Sequence, residues 1–259
     1  MATPAAAQLN GRGSTQLERL AVRVLARALM PVADDVWVLV GGIPQRIMNV
    51  YLILHEGRVT VFDAGVDGIA LAIRHTAARL GPIDRVVLSH AHVDHRGAAP
   101  RIGAPVWCHP REAADAEGDG GIHYMDFSRF HTQGRLVIPR IARVWDGGPV
   151  RIEGTVEEGD TVAGFEVVAT PGHAPGQFAL WRESDRLALS SDTFYVIDEQ
   201  AGWRCPPRVP HVAFNYDHRQ AKESLLKLAA LRPVSAWPGH GRPVVGDVQA
   251  KLEEAAATT

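Results

Sequence analysis

The sequence predicts one α/β domain in which two β-sheets pack face to face and helices cover their outer faces. Short apolar runs typical of strands begin near residue 36 and return after residue 150. In each half of the chain, the strands lead into a helix and then into one further strand. No linker separates the two halves, so a single two-sheet sandwich fits the order of the elements best.

The first 30 residues are predicted to be a segment apart from the domain formed by residues 31–259. Residues 1–14 are rich in Ala, Gly and polar side chains, and we expect a loose tail. Residues 15–30 are predicted to form an amphipathic helix, with apolar side chains on one face and Arg19, Arg23 and Arg27 opposite. We expect this helix to dock on the domain surface. Contact with a membrane or a partner, such as a second copy in a homodimer, is the alternative.

Five strands and two helices are predicted for the first half of the chain. The strands are residues 36–40, 50–54, 59–62, 85–88 and 105–108, and the helices are residues 68–80 and 110–116. Gly81-Pro82 ends the first helix. Residues 118–150 are rich in Gly, Arg and aromatic side chains without a clean period, so we expect an irregular functional loop or lid.

The second half is predicted to repeat this order with a meander of strands punctuated by Gly and Asp. Its strands are residues 150–153, 165–170, 177–181, 187–190 and 234–237. Residues 193–214 are predicted to form a Pro-rich loop, and residues 217–231 and 248–256 are predicted to be helices.

Composition argues against several classes of function. The net charge of -2 gives no field that would hold a polyanion, so we expect no nucleic-acid partner. The only two cysteines, Cys108 and Cys205, form no CxxC motif, which argues against a disulfide framework and favours a reducing cytoplasm. No apolar run approaches the length that spans a membrane, so we expect no membrane insertion.

The strongest chemical signal is the segment at residues 89–97, Ser-His-Ala-His-Val-Asp-His-Arg-Gly. It places His90, His92, Asp94 and His95 directly after the strand predicted at residues 85–88. Imidazole and carboxylate groups together suit zinc, iron or manganese. The segment therefore predicts a metal site at the rim of the core.

Three other predicted strand ends carry the same kinds of side chain. His173, Asp192 and His240 each follow an apolar run at once. Pro-Gly precedes both histidines and makes a tight turn whose glycine lets the backbone approach closely. His109 is left out of the predicted site. The remaining histidines are expected to be ordinary surface or core residues, namely His55, His75, His123, His131, His211 and His218.

The combined pattern His-x-His-x-Asp-His, Pro-Gly-His, Ser-Asp and Gly-His resembles the metallo-β-lactamase superfamily over roughly residues 35–245. The resemblance implies the αββα sandwich of that family, with two mixed β-sheets packed face to face and helices outside. It also implies two divalent metal ions, zinc in preference to iron or manganese. Their ligands would be His90, His92 and His173 at the first ion, Asp94, His95 and His240 at the second, and Asp192 as the bridge.

The resemblance also implies a mechanism, in which a hydroxide bridging two metal ions attacks the substrate. Asp94 would accept a proton and pass it to the leaving group. Tyr195 stands where a tyrosine of the lactonase branch donates a hydrogen bond to the substrate carbonyl, with simple packing as the alternative. The segment Phe-Asp-Ala-Gly at residues 62–65 resembles the family's Asp-x-Gly turn, so Asp63 is either an orienting partner of a ligand or a plain turn residue.

Substrate class is less closely defined. Residues 170–180 resemble the glyoxalase II and homoserine-lactone lactonase branches, but glyoxalase II commonly has a histidine where Gln177 stands. Basic C-terminal residues that would grip glutathione are also missing. An apolar wall from the long loops would favour an uncharged small molecule over a phosphodiester, with ordinary loop packing as the alternative. Its candidate residues are Met125, Phe127, Phe130, Phe194, Trp203 and Phe214.

The leading hypothesis is therefore a metallohydrolase that cleaves an ester-like bond, a lactone or thioester, of a small molecule. A β-lactam hydrolase is the first alternative, although we find no export signal such as the secreted forms need. An iron-dependent oxidoreductase of the same fold is the second. A nuclease is disfavoured by the net charge.

Overall fold

Two mixed β-sheets form the framework, which the computed structural model describes for residues 29–42, 47–199 and 202–258. The first sheet has seven strands in chain order: β1 (Met30–Ala33), β2 (Val36–Gly41), β3 (Met48–His55), β4 (Arg58–Phe62), β5 (Ile83–Leu88), β6 (Val106–Cys108) and β7 (Gly154–Thr155). Strands β1 to β4 are antiparallel, whereas β4 to β7 run parallel. The parallel strands bring several carboxyl ends to one edge of the sheet.

The second sheet has six strands, and a separate two-stranded ribbon follows its fourth. In chain order the strands are β8 (Thr161–Val162), β9 (Phe165–Ala169), β10 (Phe178–Arg182), β11 (Leu187–Ser191), the ribbon strands β12 (Tyr195–Ile197) and β13 (Arg204–Arg208), then β14 (Ser235–Pro238) and β15 (Val244–Val245). The spatial order in the sheet is β15-β14-β11-β10-β9-β8. Because β11 and β14 are parallel, their carboxyl ends also meet at one edge.

Helices cover the outer faces of both sheets. The α-helices of the described residues are α1 (Ala70–Ala77), α2 (Val93–Arg96), α3 (Ala113–Ala116), α4 (Thr132–Trp145), α5 (His218–Ala230) and α6 (Val248–Ala257), of which α1, α5 and α6 cover the sheets. Ile73 and Ala77 of α1 pack on one face of the first sheet, while Leu225 of α5 and Leu252 of α6 pack on the second. No helix in the described part of the chain is long and apolar enough to cross a membrane.

The core between the sheets follows from the period of two along each strand. Val36, Val38 and Val40 point inward from β2, and Leu39 between them packs in the cluster on the helix side. Aromatic rings continue the contact across the core, with the centroids of Phe62 and Phe178 5.9 Å apart. Each such side chain contributes about 1.5–3 kcal/mol when it leaves water. This interior holds the two sheets together directly beside the edges where the strands end.

The structure confirms the predicted sandwich and corrects three of its elements. Residues 118–150 contain a helix of 14 residues, α4, where the sequence predicted an irregular segment. Residues 193–214 contain the β12–β13 ribbon rather than a loop alone. Residues 150–153 form no strand, and pairing with β6 begins only at Gly154. The helix predicted at residues 15–30 lies outside the described residues except at its end, where Met30 begins β1.

Candidate metal centre

Four strand ends bring the predicted ligand residues to the seam between the sheets. Strand β5 ends at Leu88, the loop after it carries His90, and the short helix α2 begins next to His92 and carries Asp94 and His95. The other three side chains come from the second sheet, one each after β9, β11 and β14, and they are His173, Asp192 and His240. The structure thus places all seven predicted residues in one region.

These side chains form overlapping groups in which potential ligand atoms lie within 4.8 Å of one another. The groups are His90, His92 and His173; His90, His95 and Asp192; and Asp94, His95 and His240. The first and third groups are the two trios that the family resemblance implies. Asp192 lies between them, because its Oδ2 is 3.5 Å from Nε2 of His173 and 3.2 Å from Nε2 of both His95 and His240.

Hydrogen bonds fix the orientation of four imidazole rings. Nδ1 of His90 contacts Ser89 Oγ at 2.9 Å, Nδ1 of His95 contacts Asp63 Oδ2 at 2.9 Å, and Nδ1 of His173 contacts Asn215 Oδ1 at 3.0 Å. For His92 the nitrogen that is held is Nε2, at 2.8 Å from the Tyr124 hydroxyl. Each ring therefore keeps its other nitrogen for the centre of the cluster, which is how outer partners orient metal ligands.

The atoms that face the centre are buried and lack hydrogen bonds to the rest of the described chain. They include Nε2 of His90, His95 and His173, and Oδ1 of Asp192. A buried polar atom without a partner costs roughly 1–3 kcal/mol, so several together in one place need an explanation. Imidazole nitrogens and carboxylate oxygens converging on one point fit a divalent metal ion.

Burial keeps the first trio of histidines neutral. It lowers the pKa of His90 and of His92 well below the ordinary value, and neighbouring imidazoles lower each pKa further. Burial also lowers the pKa of His173, although the carboxylate of Asp192 acts in the opposite direction. Only neutral imidazole offers a lone pair to a metal ion, so this trio is ready to bind at neutral pH.

The second trio combines charges of opposite sign. Burial alone would lower the pKa of His95, but the carboxylates of Asp192 and Asp63 raise it well above its ordinary value. Against the same burial, Asp192 and Asp94 raise the pKa of His240 to about 9. Burial would raise the pKa of Asp94 and Asp192, yet the imidazoles hold both well below the usual range. Metal binding at this end therefore has to displace protons.

Asp63 orients the ring of His95 and is more than a plain turn residue. The side chain is fully buried and its carboxylate accepts hydrogen bonds from the Ser89 amide at 2.8 Å and from the Ser89 and Ser191 hydroxyls at 2.9 Å. The same carboxylate holds His95. Its backbone has φ +57°, a left-handed conformation that Asp tolerates better than most residues. Asp63 thus ties the ends of β4, β5 and β11 together behind the ligands.

Tyr195 also lies at the cluster. It is buried in β12, and its hydroxyl donates a hydrogen bond to Asp192 Oδ2 at 2.8 Å. Its ring packs edge-on against His240, with centroids 5.2 Å apart. Burial raises the pKa of Tyr195 well above its ordinary value, so the hydroxyl keeps its proton. In this structure the hydroxyl binds the central carboxylate.

Comparison with known proteins gives the family. A sequence model of the metallo-beta-lactamase superfamily matches residues 43–240, which include all seven clustered side chains. The chain belongs to the metallo-β-lactamase superfamily. "Probable metallo-hydrolase YflN" of Bacillus subtilis (strain 168) is 26% identical over 230 residues, covering 80% of this chain and 85% of that protein.

Two further proteins resemble the chain. "Hydroxyacylglutathione hydrolase" of Methylobacterium nodulans is 27% identical over 173 residues, covering 63% of this chain and 55% of that protein. The crystal structure of TTHA1623 in a di-iron-bound form is 25% identical and superimposes with a TM-score of 0.58, covering 82% of this chain and 95% of that chain. The fold is therefore shared with TTHA1623 over most of both chains.

Two buried side chains of this superfamily member bind backbone groups of the loops that carry the clustered histidines, and they thereby hold these loops in place. Glu112 accepts hydrogen bonds from the amides of Ala91 at 2.8 Å and Gly176 at 2.6 Å, so it joins the loop of His90 and His92 to the loop of His173. Burial raises its pKa to about 7. Asn49 donates to the carbonyls of Pro238 at 2.8 Å and Gly241 at 2.9 Å, on either side of His240.

A cavity of about 370 Å³ opens onto the clustered side chains, and its lining differs from the predicted apolar wall. Met125, Phe127 and Phe214 line it as predicted. Phe194 is instead in the core under the second sheet, Phe130 is buried behind Phe214, and Trp203 is 75% exposed. Seven of the lining residues come from α4, more than from any other element, and this helix was not predicted from the sequence.

The sequence did hold a signal for α4. Residues 134, 137, 138, 141, 142 and 145 are apolar or small at helical spacing, and all of them line the cavity. Gly134 and Pro139 obscured this period. No comparable signal marked Tyr124, Asn215, Glu112 or Asn49, because a single polar residue shows its partner only once the chain is folded.

Proposed function

We propose that this chain is a metal-dependent hydrolase that holds two divalent ions and cleaves an ester-like bond, a lactone or thioester, in a small molecule. The observation that carries the proposal is the position of Asp192. Its carboxylate is within 3.5 Å of ring nitrogens from both trios, as a ligand shared by two ions would be. Two trios with one shared carboxylate favour two ions over one.

Bound ions would supply an activated water near neutral pH and would polarise the scissile carbonyl. The chain's own contribution is to hold the donors. His90, His92 and His173 are neutral. Asn215 holds the ring of His173, and Asp63 holds the ring of His95. Asp94 stays ionised beside His240, with Oδ2 3.3 Å from Nε2, and we assign it the proton transfer to the leaving group.

Support for the bond type comes from the relatives and from the cavity. One relative is named a hydroxyacylglutathione hydrolase, which favours a thioester. The apolar wall next to the ligands favours a small organic substrate over a phosphodiester. Gln177 is buried and donates to the Thr170 carbonyl at 3.3 Å, so its difference from glyoxalase II affects packing rather than a cavity wall.

Zinc is our first choice of metal, since histidine and carboxylate suit it and it needs no redox partner. Iron is the alternative, supported by the di-iron form of TTHA1623. Manganese fits the ligands less well. The domain boundary at residue 30, the homodimer and the cytoplasmic setting stay predictions.

Metal analysis together with a substrate panel tests the proposal. The purified protein is measured for zinc, iron and manganese and then assayed on lactones, thioesters, β-lactams and phosphodiesters. We expect about two ions per chain and turnover of a lactone or thioester. One iron per chain with no hydrolysis of any class would contradict the proposal. Preference for a β-lactam would keep the mechanism and replace the substrate.

Tyr195→Phe is expected to lower kcat about three- to tenfold while the metal content is retained. The substitution removes one hydrogen bond to Asp192, and such a bond contributes about 1 kcal/mol net. Tyr216→Phe is the matched control, because the side chain of Tyr216 is half exposed. The measurement is steady-state kinetics beside metal analysis of the same samples. An unchanged kcat in Tyr195→Phe would leave Tyr195 with a packing role only.

A further inference from the structure

We propose that the cavity beneath α4, called here the α4 cavity, binds an uncharged apolar arm of the substrate next to the scissile bond. The inference rests on the proposed hydrolysis and adds the chemical class of the group that is recognised. The volume of about 370 Å³ is at the small end of the roughly 300–1,000 Å³ range of ligand sites. The arm is therefore a short to medium hydrocarbon chain or a single ring.

One wall of the α4 cavity is the inner face of the helix. Ile138, Ile141 and Trp145 lie three or four residues apart, and Val137 lies four residues before Ile141, so the four share that face. The other apolar lining comes from the segment before α4, from the ribbon strand β12 and from the segment before α5, namely Ile122, Met125, Phe127, Ile197 and Phe214. The lining is thus formed largely by branched aliphatic and aromatic side chains. An apolar group gains free energy when it moves from water into such surroundings.

Charge around the α4 cavity disfavours an anion. The described residues that line it include no lysine or arginine. Its acidic members at the ribbon, Asp198 and Glu199, both form ion pairs with Arg208, whose guanidinium is thereby occupied. A carboxylate or phosphate on the substrate arm would meet acidic neighbours and apolar side chains, and burying it there without a partner is costly.

The α4 cavity is continuous with the candidate metal centre. His92, Asp94, Tyr195 and His240 belong to its lining. An arm lying along α4 thus ends at the side chains that would act on the bond. This continuity assigns the cavity to the reacting molecule rather than to a remote ligand.

The C-terminal end of α4 is fixed to the short helix α2, which carries Asp94 and His95. Arg96 of α2, which is fully buried, donates from one terminal nitrogen to both carboxylate oxygens of Asp146 at 3.1 Å, directly after α4 ends. The same guanidinium binds the carbonyl of Asp115 at 3.1 Å. The distance between the apolar wall and His92 is thereby defined by the fold. A wall at a fixed distance from His92 can discriminate between substrate arms of different length.

Esters of graded length test the inference on the loaded enzyme. The first series is p-nitrophenyl acetate, butanoate, hexanoate and octanoate, and the matched anion is the mono-p-nitrophenyl ester of adipic acid. We expect kcat/KM to rise roughly three- to fourfold per methylene until the cavity is full. We expect the adipate ester to fall at least tenfold below the hexanoate. A second series of alkyl acetates shows whether the arm lies on the acyl or the alcohol side.

Two variants of α4 separate its faces. Ile141→Trp places a larger side chain in the cavity, and we expect the octanoate-to-acetate ratio of kcat/KM to fall at least tenfold. Val144→Trp makes a similar enlargement on the outer face, where Val144 is 77% exposed, and we expect the wild-type ratio. Equal ratios in the two variants would overturn the assignment of the arm to the inner face.

Direct binding separates this inference from the proposed function. Calorimetric titration of the wild-type holoenzyme with 2-octanone, an uncharged compound without a scissile bond, should give one site that Ile141→Trp weakens at least tenfold. Ketone binding without hydrolysis of any ester would overturn the proposed hydrolysis and keep the cavity assignment. Ester hydrolysis without dependence on length in either series, or a preference for the adipate ester, would overturn the cavity assignment alone.

Discussion

Asp192→Ala is expected to lose bound metal and hydrolytic turnover together. The carboxylate lies within 3.5 Å of ring nitrogens from both trios. Removing it takes away the larger of the two carboxylate contributions that raise the pKa of His95 and of His240. We expect the metal content to fall from about two ions to one or fewer per chain and kcat/KM to fall about 10³-fold or more.

The comparison needs variants that keep the fold. Asp192→Asn retains the volume of the side chain and removes its charge, so a loss in this variant reports on ligation rather than on a cavity. Asp185→Ala removes a carboxylate from the turn before β11 that pairs with Arg182 at the surface, and it should behave as wild type. Normal metal content and turnover in Asp192→Ala would rule out the shared-ligand role.

Asp63→Asn is expected to reduce both stability and metal affinity. The buried carboxylate of Asp63 accepts four hydrogen bonds. The side-chain amide of Asn would place an NH₂ donor against groups that are themselves donors. We expect a loss of about 2–4 kcal/mol in the free energy of unfolding and a roughly 10–100-fold loss in metal affinity. Asn tolerates the left-handed backbone, so strain is not added, as it would be with Ala.

Urea unfolding and competition with a chelator measure the two effects of Asp63→Asn separately. Asp84→Asn is the control, since Asp84 forms surface ion pairs with Arg58 and Arg85. Its free energy of unfolding should stay within about 0.5 kcal/mol of the wild type. Wild-type metal affinity in Asp63→Asn would show that His95 needs no orienting carboxylate.

The positions of the ligand residues followed from the sequence because strand ends and side-chain chemistry are both local. The apolar run 85–88 and the cluster after it are adjacent, and the Pro-Gly turns mark the approach of His173 and His240. The same reasoning located the longer strands of both sheets and the helices α1, α5 and α6 to within a few residues. Local patterning was therefore enough for the framework and for the residues that surround Asp192.

The partners of these residues did not follow, because each depends on a contact across the fold. Asn49 reaches the His240 turn from β3, in the other sheet. Glu112 joins two loops that are far apart in the sequence. For the same reason, the sequence could not decide whether Asp63 orients another side chain or only forms a turn. It shows the turn but not the three strand ends that meet there.

Tertiary context also explains the errors in secondary structure. Gly134 and Pro139 interrupt the apolar period of α4 in the sequence. The helix forms with its apolar face lining the cavity in the fold. Residues 150–153 have a strand-like composition, but the amide of Val150 donates to the carbonyl of Ala116 at the end of α3 instead of to a neighbouring strand. In both places a partner distant in sequence decided the conformation.

The distribution of the ligands over two sheets has a consequence for folding. His90, His92, Asp94 and His95 belong to the first half of the chain, whereas His173, Asp192 and His240 belong to the second. Ions bound at the proposed sites would act as a non-covalent cross-link between the halves, closing a long loop of chain as a disulfide does. Because only the folded chain assembles both sets of donors, ion binding would shift the folding equilibrium toward the folded state. The ion that serves catalysis would then also make the two halves unfold as one cooperative unit.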